Sequence, residues 1–260
     1  MNALLTLASD MRAGASTEVL TPFEAVLVGS DKQYGICLVL MLAWIGACDG
    51  KLDEDEESKV REIASKSLPT DTIDLLLRTA RQEDLDAIQL ACEIVRSTVK
   101  PEWTKELFTL TVIVAVTDGY LRPSEQFVLR LYGDLLGLSS DQMNAAFLEV
   151  AGKPLPPLPD PSSAAWWGER AKDSRNSQGQ NSSSQTPRAP VEPDLRRLRA
   201  LGLLGLDETA TSADIKSAYR RLAHVHHPDR FSHLGGEAQQ AANISFRRIK
   251  EAYELLTPNA

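Results

Sequence analysis

Residues Leu204–Arg230 read LGLDETATSADIKSAYRRLAHVHHPDR, and the spacing within them sets the architecture. Thr211, with Asp214 three residues on, forms a capping-box-like start, Asp standing where Glu is usual. Ile215, Ala218, Tyr219, Leu222 and Ala223 fall at i, i+3, i+4, i+7 and i+8, which is one apolar face of a helix. Lys216, Arg220 and Arg221 lie largely outside that face, so one side packs and the other is basic. Pro228 lacks an amide hydrogen and disfavours helical geometry at His227, so the helix is predicted to stop at about His226. His227-Pro228-Asp229 then occupies an exposed turn.

A second helix is predicted to resume near Glu237. Phe246, Ile249, Tyr253 and Leu256 are spaced to meet the first helix across the loop, giving an antiparallel hairpin. Leu198, Leu201 and Leu204 are expected on a short helix that covers one flank and completes a small core.

This segment resembles the J-domain of the DnaJ family over roughly residues 194 to 258. Leu204-Gly205-Leu206 is similar to the family's LGV, Ile215 to Ala223 (IKSAYRRLA) to its second helix, and Phe246 to Leu256 (FRRIKEAYELL) to its third. His227-Pro228-Asp229 matches the family's invariant tripeptide. A chance HPD is easy to find; a chance HPD in this context is not. The resemblance implies a partner, a DnaK-type chaperone that hydrolyses ATP. Lys216, Arg220 and Arg221 would meet an acidic face of its ATPase lobe and steer the encounter. Asp229 would accept a charge-assisted bond from a partner arginine, and Pro228 would hold His227 and Asp229 preorganised. The hydrolysed ATP belongs to the partner, so the chain is expected to be an activator rather than an enzyme, with no catalytic residue and no cofactor. An inert hairpin would need neither His nor Asp in its turn. Hydrolase chemistry at a His-Asp pair is poor, because no Ser or Cys nucleophile and no metal-ligand spacing accompanies it.

Departures from the family pattern matter as well. Ser217 and Val225 stand where basic residues are frequent, which thins the positive face. No Gly/Phe-rich segment and no cysteine-rich zinc region is present, which points to a specialised family member.

Upstream, residues 152–193 change to GKPLPPLPDPSS and NSQGQNSSSQTPRAPVEP, a composition that cannot bury enough apolar area to order itself. A flexible coil of these 42 residues would span on the order of 35 Å. The flanking domains are therefore expected to move independently. Trp166 and Trp167 inside the linker are candidates for docking on a partner or folding back.

Residues 1–151 read as a series of helices broken near Pro22, Asp49-Gly50, Pro69, Pro101, Asp118-Gly119 and Gly137. They contain an internal repeat: Asp49-Gly50-Lys51-Leu52 followed by Glu56 matches Asp118-Gly119-Tyr120-Leu121 followed by Glu125. Each copy follows an apolar helix and precedes an amphipathic one, implying two related helix-turn-helix units. The Gly can end a helix and the Leu can plug the core, so a structural turn explains most of the pattern. The repeat resembles the TerB-like domain, a helical bundle of tellurite-resistance proteins. That resemblance implies weak candidate metal ligands at Asp49, Glu56, Asp118 and Glu125, suited to Ca²⁺ or Mg²⁺; helix caps on a solvated acidic surface are the plainer reading. An EF-hand fits worse, since Gly50 directly follows Asp49. A TerB-like domain, a linker and a terminal J-domain together resemble the DjlA group, whose N-terminal membrane anchor has no counterpart in this sequence.

Whole-chain composition agrees with an all-α fold: 260 residues, 43% apolar and 6% aromatic. The net charge of −8 is unevenly placed, with −11 in residues 1–151 and +2 in residues 194–260. An acidic body argues against nucleic-acid binding. Cys37, Cys48 and Cys92 lack CxxC spacing and sit in apolar helical contexts, which points to buried thiols in a reducing compartment. The apolar run Tyr34–Cys48 is shorter than the roughly 20 residues a membrane span requires, so a core helix is expected rather than a span. MNALLTLASDMRAGAS lacks a basic start and a sustained apolar core, so no signal peptide is read and the expected setting is cytoplasmic.

The reading is thus an N-terminal bundle (1–151) that selects a client or location, a linker (152–193) and a J-domain (194–260) that recruits a chaperone. An alternative makes the bundle a metal-responsive stress module with chaperone recruitment as its output.

Overall fold

The computed structural model describes residues 20–48, 52, 54–116, 121–157 and 192–257. Among these there are helices and turns and no strand. The N-terminal bundle comprises α1 (Pro22–Val28), α2 (Gln33–Ala47), α3 (Glu54–Ala64), α4 (Thr70–Arg81), α5 (Leu85–Thr98), α6 (Thr104–Ala115), α7 (Pro123–Leu135) and α8 (Ser140–Ala151). The C-terminal part is α9 (Glu192–Leu203), α10 (Ser212–Val225), a 3₁₀ helix at Pro228–Leu234 and α11 (Gly236–Leu256). Helix breaks fall where the turn and proline signals put them.

α2 is apolar on all sides, and a helix with no polar face must be enclosed. It is the centre of the bundle, wrapped by α3, α4, α5 and α6, and Ile36 to Ala43 are all buried. No helix among the described residues is long and apolar enough to cross a membrane. The surrounding helices are amphipathic and capped: Thr21 and Glu24 form a capping box on α1, and Asp84 accepts from the Ala87 amide at the start of α5. Each such cap satisfies amide donors that a helix start leaves open.

The two repeat units appear as α2 with α3 and α6 with α7. Leu52 and Leu121, the turn leucines, pack against the core as expected. The units meet where the buried Tyr132 hydroxyl donates to the Met41 carbonyl at 2.7 Å and the Tyr132 ring lies 5.7 Å from that of Trp44. Cys37 and Cys92 are buried, whereas Cys48 is only half-buried, its thiol donating to the Ile45 carbonyl at 2.9 Å. Burial raises the thiols of Cys37 and Cys92, the latter to about 12, which makes them unreactive.

Packing of the bundle continues past Ala151. Gly152 ends α8 in the left-handed conformation. Leu155 is buried and its amide donates to Asn144 at 2.9 Å, while Arg130 donates to the Pro156 carbonyl at 2.7 Å. Residues 158–191, with Trp166 and Trp167, lie outside the described residues.

The expectation of two separately moving domains is corrected. Val225, Phe231, Leu234, Ala238, Ala241, Ala242 and Ile244 belong to the same continuous core as the bundle. α11 packs on α3, α6 and α2, and α10 touches α8. The physical reason is that the loop end of the hairpin carries more apolar surface than two helices can cover for each other, and the bundle covers the remainder. Gly35 on α2 is part of the fit, because a side chain there would meet the Glu237 carboxylate at 2.7 Å.

Candidate functional site

The site is built on α10. Thr211 and Asp214 start the helix with reciprocal bonds, the Thr211 amide donating to Asp214 at 2.8 Å and the Asp214 amide donating to the Thr211 hydroxyl at 3.3 Å. The Thr211 hydroxyl, donating to the Asp214 carboxylate at 2.6 Å, and the Thr211 amide hold that carboxyl below its usual range. Ile215, Ala218 and Leu222 are buried with Ala200, Leu201, Leu204, Ile249, Ala252 and Leu256 in a small second core. Leu198, expected on this flank, is exposed; Ala200 stands in its place because α9 presents that row instead. Tyr219 and Tyr253 stack at 4.1 Å between centroids across the hairpin. Lys216 and Arg220 are exposed on the outer face.

α10 ends at Val225, with His226 as its C-cap. His227 turns to the extended conformation required before a proline, φ −62° and ψ 128°. Its Nδ1 accepts from the Asp229 amide at 3.3 Å and lies 3.7 Å from the Asp229 carboxylate. Phe246, one of the residues expected to meet α10, instead sets its ring edge-on to His227 at 5.8 Å. The His227 and Asp229 side chains remain 51% and 82% exposed. The turn therefore displays an imidazole and a carboxylate to solvent, while the Asp229 amide and Phe246 hold the imidazole and Pro228 fixes the backbone between the two.

Arg221, grouped with the basic face, points elsewhere. Its Nη1 donates to the Glu149 and Val150 carbonyls at 3.2 and 3.1 Å, the C-terminal end of α8, where unpaired carbonyls and the helix dipole attract a cation. Beside it, Arg230 binds the Glu149 carboxylate at 2.6 Å, with Lys105 at 3.8 Å. Burial raises the Glu149 carboxyl, but the bond and charge of Arg230, with Lys105, outweigh it and leave the group below its ordinary value. Elsewhere on the seam Arg247 makes two bonds to Glu62 at 3.2 and 3.1 Å, and the Trp103 and His233 rings lie 4.6 Å apart. His226 is 4% exposed. Burial lowers it to about 3, and the charges of Arg221 and Arg230 add to the effect.

Comparison with known proteins identifies these parts. The family model of the DnaJ domain matches residues 201–260, and that of tellurite resistance protein TerB matches residues 36–148. The chain joins a TerB domain to a J-domain. Among its relatives, the co-chaperone protein DjlA of Vibrio cholerae serotype O1 is 30% identical over 149 residues, 56% of this chain and 48% of that protein. DjlA of Pectobacterium atrosepticum is 30% identical over 158 residues, 58% and 53% of the two chains. The chaperone protein DnaJ of Mesomycoplasma hyopneumoniae is 40% identical over 55 residues, 21% of this chain and 15% of that one. The chain thus spans about half the length of the DjlA proteins it matches and far less of the DnaJ protein. No solved structure matches it.

In the TerB domain, Asp49 and Asp118 lie outside the described residues. Glu56 and Glu125 are brought together, with the Arg122 guanidinium between them at 3.2 and 3.5 Å, and Glu125 also accepts from the Arg122 amide at 2.7 Å. Among the described residues no group of three or more His, Cys, Asp or Glu is placed to hold a metal. Four residues escaped the sequence reading: His226, Arg230 and Phe231 of the J-domain and Glu149 of the TerB domain. The one available signal was Phe231, an aromatic with no place on either helical face of the hairpin.

Proposed function

We propose that the chain is a co-chaperone whose J-domain binds a DnaK-type chaperone and stimulates its ATP hydrolysis. The TerB domain selects the client or the location, and the expected setting is the cytoplasm. The single observation that supports the reading is the His227-Pro228-Asp229 turn, exposed at both polar side chains on a fixed backbone, at the end of a helix whose outer face exposes Lys216 and Arg220. Those two cations steer an acidic chaperone surface into place. Asp229 accepts a charge-assisted bond from a partner arginine, and the fixed turn lowers the ordering cost of making it. Arg221 contributes least while it holds the α8 carbonyls. The chain carries out no bond chemistry of its own in this reading.

Single-turnover ATP hydrolysis by a DnaK-type chaperone, with and without the full chain, tests it. Stimulation of tenfold or more is expected, and His227→Gln should abolish it without altering the melting temperature, since that side chain is half-exposed. Absence of stimulation by a folded wild-type chain would sink the proposal.

A further inference from the structure

A cleft of about 340 Å³ opens at the seam between the two domains. One wall comes from the TerB domain, with Leu121, Phe147 and Lys153, and the other from the J-domain, with Leu204, Arg221 and Arg248. Its size falls in the range of sites that hold small molecules. Among the described residues the lining carries the cationic side chains of Lys153, Arg221 and Arg248 and the carboxylate of Asp207. That carboxylate is already engaged by the Thr209 amide, at 2.9 Å, and by the Thr209 hydroxyl.

His226 also lines the cleft. It is almost fully buried, and neither ring nitrogen has a hydrogen-bond partner. A neutral imidazole has one donor and one acceptor, and a buried group left without a partner is costly. Burial, with the charges of Arg221 and Arg230 added to it, holds this ring neutral, so it does not relieve the deficit by taking a proton. An anion fits both features at once: it can be met by the cationic side chains of the lining and it accepts from the ring N–H. Phe147 and Leu204 supply an apolar wall beside the cations.

We propose that this interdomain cleft is a binding site for a small oxyanion carried on a short apolar body. The phosphate or carboxylate group sits among Arg221, Arg248, Lys153 and His226, and the body lies against Phe147 and Leu204. Because the walls belong to both domains, occupancy favours the docked arrangement by the differential binding free energy. The inference stands independently of chaperone stimulation.

Calorimetric titration of the full chain with phenyl phosphate, benzoate and inorganic phosphate tests the site. Saturable binding of at least one of the first two is expected with Kd below about 1 mM, phenyl phosphate and benzoate separating the phosphate source from the carboxylate source and inorganic phosphate measuring the contribution of the apolar body. Arg248→Ser and Lys153→Ser should each weaken binding about tenfold, whereas Arg78→Ser, an exposed cation on α4, should leave it unchanged. Ring ¹⁵N shifts of His226 should move on titration, a readout that general charge attraction does not alter. The site is refuted if no ligand saturates, if Arg78→Ser weakens binding as much as Arg248→Ser, or if the His226 nitrogens do not respond, in which case bound water alone satisfies the ring.

Discussion

The two ends of the α10–α11 hairpin bury their apolar residues by different means. At the open end, Ile215, Ala218 and Leu222 meet Ile249, Ala252 and Leu256 under α9, so every partner lies within about 60 residues and the small core is self-contained. At the loop end, Val225, Phe231, Leu234 and Ala238 join a core that runs through α2, α3 and α6, more than 100 residues away. The open end leaves Lys216 and Arg220 free of the bundle; the loop end ties Arg221 and Arg230 to α8. The turn itself, at the loop end, still exposes His227 and Asp229 to solvent. In the proposed reading, partner binding falls on the outer face of α10 and the turn, while the residues immediately around that turn couple the domains.

The strongest way to break this comparison is to remove Phe231, which is fully buried in the shared core. Phe231→Ala should cost about 3–5 kcal/mol. If the loop end is part of one core, urea denaturation of the full chain should show a single transition displaced to lower denaturant. A second transition, with the TerB domain melting as in the wild type, would mean that the two domains do not share a core. Leu198→Ala at the exposed flank is the matched control, with a loss under about 1 kcal/mol.

Next in size is the effect of acid at the seam. Unfolded, the imidazole of His226 takes a proton below about pH 6.5; folded, burial and the adjacent arginines hold it near 3. Between those values the unfolded state binds more protons, so the stability that neutral His226 confers is complete above pH 6.5 and is lost as pH falls, at about 1.4 kcal/mol per unit. Glu149 acts in the same direction, because its lowered carboxyl supports the Arg230 pair until it is protonated at still lower pH. Thermal melts at pH 7 and pH 5 should therefore differ by several degrees more in the wild type than in His226→Phe, whose ring fills the space without titrating. Equal pH dependence in the two would show that His226 is not held neutral in the folded chain.

Much of the open end was legible from sequence because its information is local. Helical spacing gave the buried faces of α10 and α11, Thr211 and Asp214 gave the cap, and Pro228 gave the break before the exposed turn. The apolar run that became α2 identified itself in the same way, since no polar face means enclosure. The loop end was not legible. Nothing near Val225, Phe231 or Leu234 in the chain names α3 or α6 as their cover, and a proline-rich, serine-rich segment between the domains argues for independence rather than contact. Arg221 shows the limit most directly: its position on the helical wheel is right for a binding face, but its side chain reaches the α8 carbonyls, which no helical periodicity reports. The same holds for Glu56 and Glu125, whose acidic repeat pattern suggested a cation and whose described geometry supplies one from the chain itself, Arg122.

The finest division in the comparison falls between adjacent residues, Arg220 and Arg221. Both are exposed, but Arg220 reaches only its own helix at the Lys216 carbonyl, whereas the Arg221 guanidinium is bonded to the α8 carbonyls, and partial desolvation lowers its pKa from the ordinary arginine value. Arg220→Ala should slow association with a DnaK-type chaperone several-fold, with a weaker salt dependence, because a steering charge acts mainly on encounter. Arg221→Ala should change association less and stability more, by about 1–2 kcal/mol, because it removes charge-assisted bonds to two carbonyls that end α8. Association kinetics at two salt concentrations, beside denaturation of each variant, separate the roles. If Arg221→Ala slowed association as much as Arg220→Ala and left stability untouched, the guanidinium would belong to the binding face after all, and the seam would open before the chaperone engages.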